Sequence, residues 1–418
     1  MPKREIEGDW ILGWADRKRA VMMPSKDEQG RVVYARTPIL DLEGLITPIE
    51  ASYIVAQLAM PDPVHPDDWR LKLHGRVERT LDLDLDTLRR LPGKTVRAVI
   101  ECAGNDSEFF EYLKDPAGRR KPSLRVKQNE TGSAWDQVDK GKPLPDMKDI
   151  FDAIPSSNLV SGGEWTGVPL RVVLERAGVG PSAAGVRFRG WDQGKPDPIA
   201  QYFSVGRTDF AVHDPGVIHF EKALPIAKAM HPDTILAWAH NGEWLTHVHG
   251  APLRLIVPGW SGNWWVKWIE EIEVVDRLPD LYYQTHYFVQ GDSPEDPDKR
   301  MLTAMGVKTL IVSPRDEDSP LPRGEHAIRG LAWSGEGKIV RVEVSTDGGA
   351  TWRDAHVEES PDRWLWVRWS AVWTATTPGD YRIMARAHDE TGRVQPQTPP
   401  NFQRKHFDGI VPEFIRIE

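Results

Sequence analysis

The 418 residues include one cysteine, and it stands in Glu101-Cys102-Ala103-Gly104-Asn105. The preceding Thr95-Val96-Arg97-Ala98-Val99-Ile100 reads as a strand. Cys102 therefore falls on a tight turn at a strand end, where a side chain is offered to a cavity rather than to a core. Thiolate suits a soft or high-valent metal, although a lone cysteine is more often an inert small hydrophobe. Further along, His249-Gly250-Ala251-Pro252-Leu253-Arg254-Leu255-Ile256-Val257-Pro258-Gly259 carries an imidazole and a guanidinium on one turn-to-strand segment. Lys267 follows in Trp264-Trp265-Val266-Lys267-Trp268. An ammonium among aromatic residues is costly unless it meets an anion. Imidazole, guanidinium and ammonium together suit a phosphate tail and a pterin ring; the plainer reading is a surface lysine and a structural arginine.

A second chemistry uses the same stretch. His240, His247 and His249 lie close together, and a His-x-His pair in a strand faces one side, as a zinc hydrolase would need. No Glu or Asp in the segment has an evident general-base placement.

These residues need elements to position them. Residues 1–40 read as a charged N-terminal arm, and 41–288 as a mixed domain. Trp69–Gly75 alternates as a half-buried strand, and Leu83–Leu88 leads into a short helix capped by Asp84 or Asp86. Residues 106–158 are rich in Lys, Asp, Gly and Pro and read as an insertion, a lid or partner contact. Arg171–Gly178 is a short helix stopped by glycine. Strands are expected at Gly185–Gly190, Thr234–Trp238 and Leu253–Val257, and a last pair of apolar runs at Trp265–Val275. Residues 289–322 read as a linker, with Ser313–Arg323 marking the boundary. In 323–418, Val340, Val342 and Val344, then Leu365, Val367 and Trp369, then Tyr381, Ile383 and Ala385 alternate with polar residues between Gly, Asp and Pro turns. That pattern predicts an immunoglobulin-like β-sandwich without a disulfide. The fold class is α+β. Trp364 and Trp366 are expected on an exposed face where a homodimer would form.

Bulk composition excludes several functions. Hydrophobic residues at 40% and charged residues at 28% fit a folded soluble protein. A net charge of −9 without a long basic run argues against nucleic acid. No window has the roughly 18–20 apolar residues of a membrane span. No leader follows Met1, so the cytoplasm is expected, with the periplasm as the alternative. Eighteen Trp against eight Tyr supply rigid core and pocket walls.

In this order, Glu101–Asn105, Glu164-Trp165-Thr166-Gly167-Val168-Pro169-Leu170, Asn241-Gly242-Glu243, and His249–Gly259 with Val266-Lys267-Trp268 resemble the sulfite oxidase family of molybdenum enzymes. The sandwich is similar to that family's dimerisation domain through Leu331-Ala332-Trp333-Ser334-Gly335 and Val342–Gly349. Asp389-Glu390-Thr391-Gly392 and Gln395-Pro396 look closest to its bacterial sulfite and sulfur dehydrogenase branch. The resemblance implies that Cys102 is the thiolate ligand of molybdenum, beside the dithiolene sulfurs of molybdopterin. It implies that Asn105, Asp192, His249, Arg254 and Lys267 bind the cofactor, and that Tyr287 is the active-site tyrosine.

The departures bear on substrate. Where the family carries Arg-Asn-His at the mouth of the site, this chain has Ala56, Gln57 and Leu58. Where a second arginine follows the cysteine motif, it has Asp106-Ser107. Losing two guanidiniums costs an oxyanion several kcal/mol, on the order of 1.5–3 each. Either Arg119, Arg120, Lys121 or Arg125 of the insertion replaces them, or the substrate is less charged than sulfite; the second is favoured. The implied reaction is oxygen-atom transfer on a small sulfur or related substrate. No Cys-x-x-Cys-His haem attachment occurs, so electrons pass to a separate partner such as a cytochrome. A non-catalytic scaffold derived from the family is the other alternative.

Overall fold

The computed structural model describes residues 9–10, 18–19, 22–26, 30–42, 44–117, 121, 158–197, 200–201, 205, 213–293, 295–397 and 403–418. The chain is mostly strands with few helices, and no helix among the described residues is long and apolar enough to cross a membrane.

Two five-stranded sheets form the first domain. One runs in the order Ile218–Pro225, Gly185–Gly194, Ile269–Val275, Leu71–Gly75, Leu81–Leu83, with a single parallel pairing between Ile269–Val275 and Leu71–Gly75. The other runs Glu243–Trp244, Ile235–His240, Val160–Pro169, Lys94–Glu101, with Arg254–Ile256 pairing to Ile235–His240. Leu71, Leu73, Val186, Phe188 and Ile272 of the first sheet join Val96, Ala98, Ile100, Val168 and Leu236 of the second in one apolar core. Alternation along each strand produces that division, because successive side chains point to opposite faces. The short helices behave as their sequences predict. Asp84 caps Leu85–Arg89 by accepting from the Thr87 N–H at 2.6 Å, and Gly178 ends Leu170–Ala177 at φ +73°.

The second domain is two four-stranded antiparallel sheets packed face to face, joined by Ile328, Val367 and Trp369 against Val342, Ile383 and Ile415. Its first strand is Lys308–Ser313, which pairs with Gly324–Trp333 and buries Leu310 and Ile311. The domain thus begins inside the expected linker. The prolines around Ser313–Arg323 turn the chain between two strands of one sheet rather than separating two domains.

Three further expectations are corrected. The arm is not free of structure: Val32–Arg36 forms a strand against Ile54–Val55 and buries Val32, Ala35 and Arg36. The insertion begins with a helix, Ser107–Lys114, because Phe109, Phe110 and Tyr112 share an apolar face that packs on Phe407. Trp366 is fully buried and donates its indole N–H to Leu45 O at 2.8 Å, while Trp364 is half-buried with its N–H on Asp233. These two indoles join the domains within one chain, since large apolar rings gain most where both partners exclude water.

Candidate active site

The strand Lys94–Glu101 ends in a turn that delivers Cys102 to a partly open cavity. The turn is tied at several points. Cys102 N–H donates to Leu159 O at 2.9 Å, and Asn105 N–H returns to Cys102 O at 2.9 Å. The Asn105 amide donates to Glu101 at 2.9 Å and accepts from Leu159 N–H at 3.1 Å. Asn105 therefore stands behind the turn, supporting it, and does not line the cavity. Burial pushes the Cys102 thiol above its ordinary value, while the Gly104 backbone and the charges of Lys405 and Arg36 pull it down.

The cavity is walled by Tyr53, Trp165, Phe220, Trp265 and Phe288, with Asp192, His240, His249, Arg254 and Lys267 among them. Each arrives for a local reason. Gly250, at φ +106°, lets the His249 turn approach Lys267; a Cβ there would lie 2.9 Å from the Lys267 Cβ. His249 Nδ1 is 2.8 Å from Thr246 Oγ1. Arg254 donates to His249 O at 3.1 Å and stacks over Trp165 at 5.1 Å. Lys267 donates to Val55 O at 3.1 Å and Val248 O at 3.2 Å. His240 lies flat on Trp165, centroids 4.0 Å apart, and Gly163 makes room, since a Cβ would stand 2.9 Å from the His240 Nε2.

Electrostatics inside the cavity follow from burial. Asp192 is pushed up to about 7, against the pull of Lys267. His240 is pushed down to about 3, with Arg254 adding to the effect, so its ring is neutral. Arg254 is lowered to about 10 and still carries its charge at neutral pH.

A set of buried polar atoms on this wall finds no partner among the described residues: Asp192 Oδ1, both His240 ring nitrogens, Trp165 Nε1, Arg254 Nε and both amide atoms of Asn263. Native interiors rarely leave such groups unsatisfied. Donors and acceptors from five side chains facing one apolar-walled space fit a large polar heterocycle with an anionic tail. The sequence-predicted Asp192, His249, Arg254 and Lys267 are all brought together here with Cys102.

Other candidates lie elsewhere. His247 Nε2 is 2.9 Å from Pro61 O, and no group of three metal-ligating side chains occurs among the described residues, so the three histidines do not form the expected zinc set. Lys121 is held by Glu413 at 2.7 Å and Asp316 at 3.1 Å on the second domain; it is not a substrate cation. Arg119, Arg120 and Arg125 lie outside the described residues. Of the positions that lack the expected arginines, Ala56 lines the cavity, and the Ser107 hydroxyl bonds Gly104 O and Arg404 O at 2.6 Å each.

Two cations that sequence reasoning missed influence Cys102. Arg36 comes from the strand Val32–Arg36 and lies 3.8 Å from Glu108. Lys405 comes from the segment 403–407, which returns from the second domain; His406 N–H donates to Ala103 O at 2.7 Å. The Lys405 ammonium sits over the ring of Tyr287, which is buried. Burial lowers Lys405 to about 8 against the charge of Cys102. Burial also holds Tyr287 well above the usual phenol range. Four consecutive large polar residues, Gln403-Arg404-Lys405-His406, read as a surface tail, and only their tertiary burial reveals them.

Comparison with known proteins agrees with this geometry. The family described as Oxidoreductase molybdopterin binding domain matches residues 57–135 and 146–283, and the Mo-co oxidoreductase dimerisation domain matches 299–403. The chain is 30% identical over 375 residues to sulfite oxidase of Gallus gallus, covering 85% of this chain and 69% of that one. It is 30% identical over 409 residues to mitochondrial sulfite oxidase of Drosophila melanogaster, covering 91% and 60%. It is 27% identical over 384 residues to the NADH nitrate reductase of Ulva prolifera, covering 85% of this chain but only 38% of that longer protein. Among solved structures, the sulfane dehydrogenase SoxCD from Paracoccus pantotrophus is similar at a TM-score of 0.70 and 27% identity, covering 95% and 90%.

Proposed function

The chain belongs to the sulfite oxidase-like family of molybdopterin oxidoreductases, and on that premise we propose that it oxidises a small sulfur oxyanion or a related sulfur compound. Bound molybdopterin supplies a metal that exchanges an oxygen atom and two electrons. The chain's own residues do the rest. Cys102 Sγ would be the protein ligand of the metal, Arg254 and Lys267 would hold the anionic tail, Asp192 and His249 would bind the pterin, and the aromatic wall excludes water.

The observation that carries this reading is the convergence of Cys102 with the unsatisfied polar atoms of Asp192, Trp165, His240 and Arg254 on one cavity. On this reading Lys405 and Tyr287, which stand near Cys102 without lining the cavity, take the part of the missing arginines. Lys405, charged below about pH 8, supplies positive potential that Ala56 and Ser107 cannot. Tyr287 keeps its hydroxyl proton at neutral pH and is a hydrogen-bond donor to an oxyanion. That restores sulfite as the first substrate to test, ahead of a less charged one. For sulfite the balance is sulfite plus water to sulfate, two protons and two electrons. The electrons leave to a separate carrier, with a cytochrome as the first candidate, because these 418 residues hold one cysteine. The second domain matches a dimerisation domain, and a homodimer is part of the reading.

The test is protein from a molybdenum-competent host, assayed for metal, for pterin fluorescence and for sulfite-dependent reduction of ferricyanide and cytochrome c. Near one molybdenum and one pterin per chain with sulfite turnover supports the proposal. A fully loaded protein inert to sulfite, thiosulfate and protein-bound sulfane would overturn the substrate class. Cys102→Ser should abolish turnover with the thermal midpoint unchanged, and full turnover by that variant would refute the ligand assignment.

A further inference from the structure

Two carboxylates bracket Cys102 in sequence, Glu101 immediately before it and Asp106 four residues after, and both are buried. They meet one ammonium. Lys308 Nζ lies 2.8 Å from Glu101 Oε1 and 2.5 Å from Asp106 Oδ2. Lys308 opens the first strand of the second domain. Trp333, on the adjacent strand, donates its indole N–H to the other Glu101 oxygen at 2.8 Å. Asn105 donates to Glu101 Oε1 at 2.9 Å. The turn that presents the sulfur is thus pinned at both ends by side chains of another domain.

Inside the bracket the Asn105 N–H closes the turn on Cys102 O at 2.9 Å. Asp106 sits at φ +60°, ψ +23°, a left-handed conformation that L-residues rarely adopt, although Asp and Asn tolerate it. Water is excluded from the cluster, so salt screens it little. Removing the ammonium takes away the bond that both carboxylates share, so that it no longer sets their spacing. Either carboxylate that moves carries the turn with it.

We propose that Lys308 is a positioning residue for the Cys102 sulfur: by fixing the spacing of Glu101 and Asp106 it sets the direction in which the sulfur enters the cavity. Groups behind a metal ligand orient it and tune the metal's electronics, and here that support is provided by the second domain. The functional meaning rests on Cys102 as the metal ligand, while the geometry stands without it. Asp106 and Ser107 stand where the resemblance expects a second arginine, and Asp106 is directed at the other domain.

The experiment uses the full chain carrying Lys308→Met or Asp106→Asn. Asparagine keeps the shape and the left-handed backbone, so this variant remains informative if Lys308→Met fails to fold. In cofactor-free protein, the rate of Cys102 alkylation by iodoacetamide is expected to rise severalfold, because a turn no longer pinned opens the thiol to the reagent more often. In loaded protein, the Mo(V) electron paramagnetic resonance spectrum is expected to shift its g-values. A folded Asp106→Asn protein with the parental alkylation rate and a superimposable spectrum would overturn the proposal. Absence of molybdenum from every preparation would instead refute Cys102 as ligand, and the alkylation rates alone would then decide whether Lys308 sets the thiol.

Discussion

The Lys405 ammonium stands 4.1 Å from the centroid of the Tyr287 ring. The two residues are about 120 positions apart in the chain, and their approach places a cation near Cys102. The aromatic face stabilises a buried cation that would otherwise be costly, by about 0.5–2 kcal/mol. Burial still lowers Lys405 to about 8.

The direction of that shift fixes a pH dependence. The folded value lies below the ordinary 10.5, so the ammonium is lost as pH rises through about 8. For an anionic substrate, kcat/KM should be level below pH 8 on account of this group and fall above it. Lys405→Met should lose about 10–100-fold in kcat/KM at pH 7, the worth of one charged hydrogen bond. Lys405→Arg should move the falling limb beyond pH 10. A parental profile that stays flat to pH 9.5 would remove Lys405 from substrate binding.

Lys267 should govern cofactor retention. Its ammonium is held over Trp268 at 4.1 Å and anchored to two carbonyls on the cavity wall. Lys267→Met should lower pterin occupancy after dialysis by about tenfold or more, again on the charged hydrogen-bond scale. The apoprotein should melt as the parent does. Pterin fluorescence of dialysed protein measures this; full retention would move the anionic tail elsewhere.

His240 should make the apoprotein acid-sensitive. It is almost fully buried and pushed down to about 3, so below pH 6.5 the unfolded chain binds a proton that the folded chain refuses. Each pH unit from 6.5 down towards 3 then costs about 1.4 kcal/mol, and the loss reverses on returning above 6.5. His240→Asn should flatten the dependence of denaturation midpoint on pH in that window. An unchanged slope would place the sensitivity on another group.

Trp366→Glu should destabilise the chain rather than split a dimer. The indole is fully buried, hydrogen-bonded to Leu45 O and set edge-on to Trp333 at 6.1 Å. Truncating such a ring costs about 3–5 kcal/mol, and an unpaired carboxylate adds to it. Denaturant unfolding should show an earlier midpoint. A halved solution mass with an unaltered midpoint would put the indole at an interface between copies.

What was legible in the sequence divides by range. Cys102 at a strand end, the His249–Gly259 turn and Lys267 are each recognisable within a dozen residues, and the structure gathers them with Asp192 on one cavity. The alternation in the second domain was legible for the same local reason. Lys405, Arg36 and Lys308 were not, because their roles depend on contacts across most of the chain, and polar runs such as Gln403–His406 look solvated until packing buries them. Asn105 was read as a cofactor contact because it belongs to the cysteine motif. Its amide is used in holding the turn, a distinction that spacing does not carry. The Trp364–Trp366 error has the same root: a pattern shows that an indole needs cover, not whether the cover comes from its own chain.

The return of segment 403–407 to the Cys102 turn also imposes an order on biosynthesis. About 300 residues separate Cys102 from Lys405, which at ~5–20 residues per second is roughly 15–60 s of translation. For about the first two-thirds of that interval the nascent turn lacks Lys308 on its carboxylates, and to its end it lacks His406 on Ala103 and Lys405 beside Tyr287. The support behind the Cys102 turn is complete only once segment 403–407 has been made and packed against it.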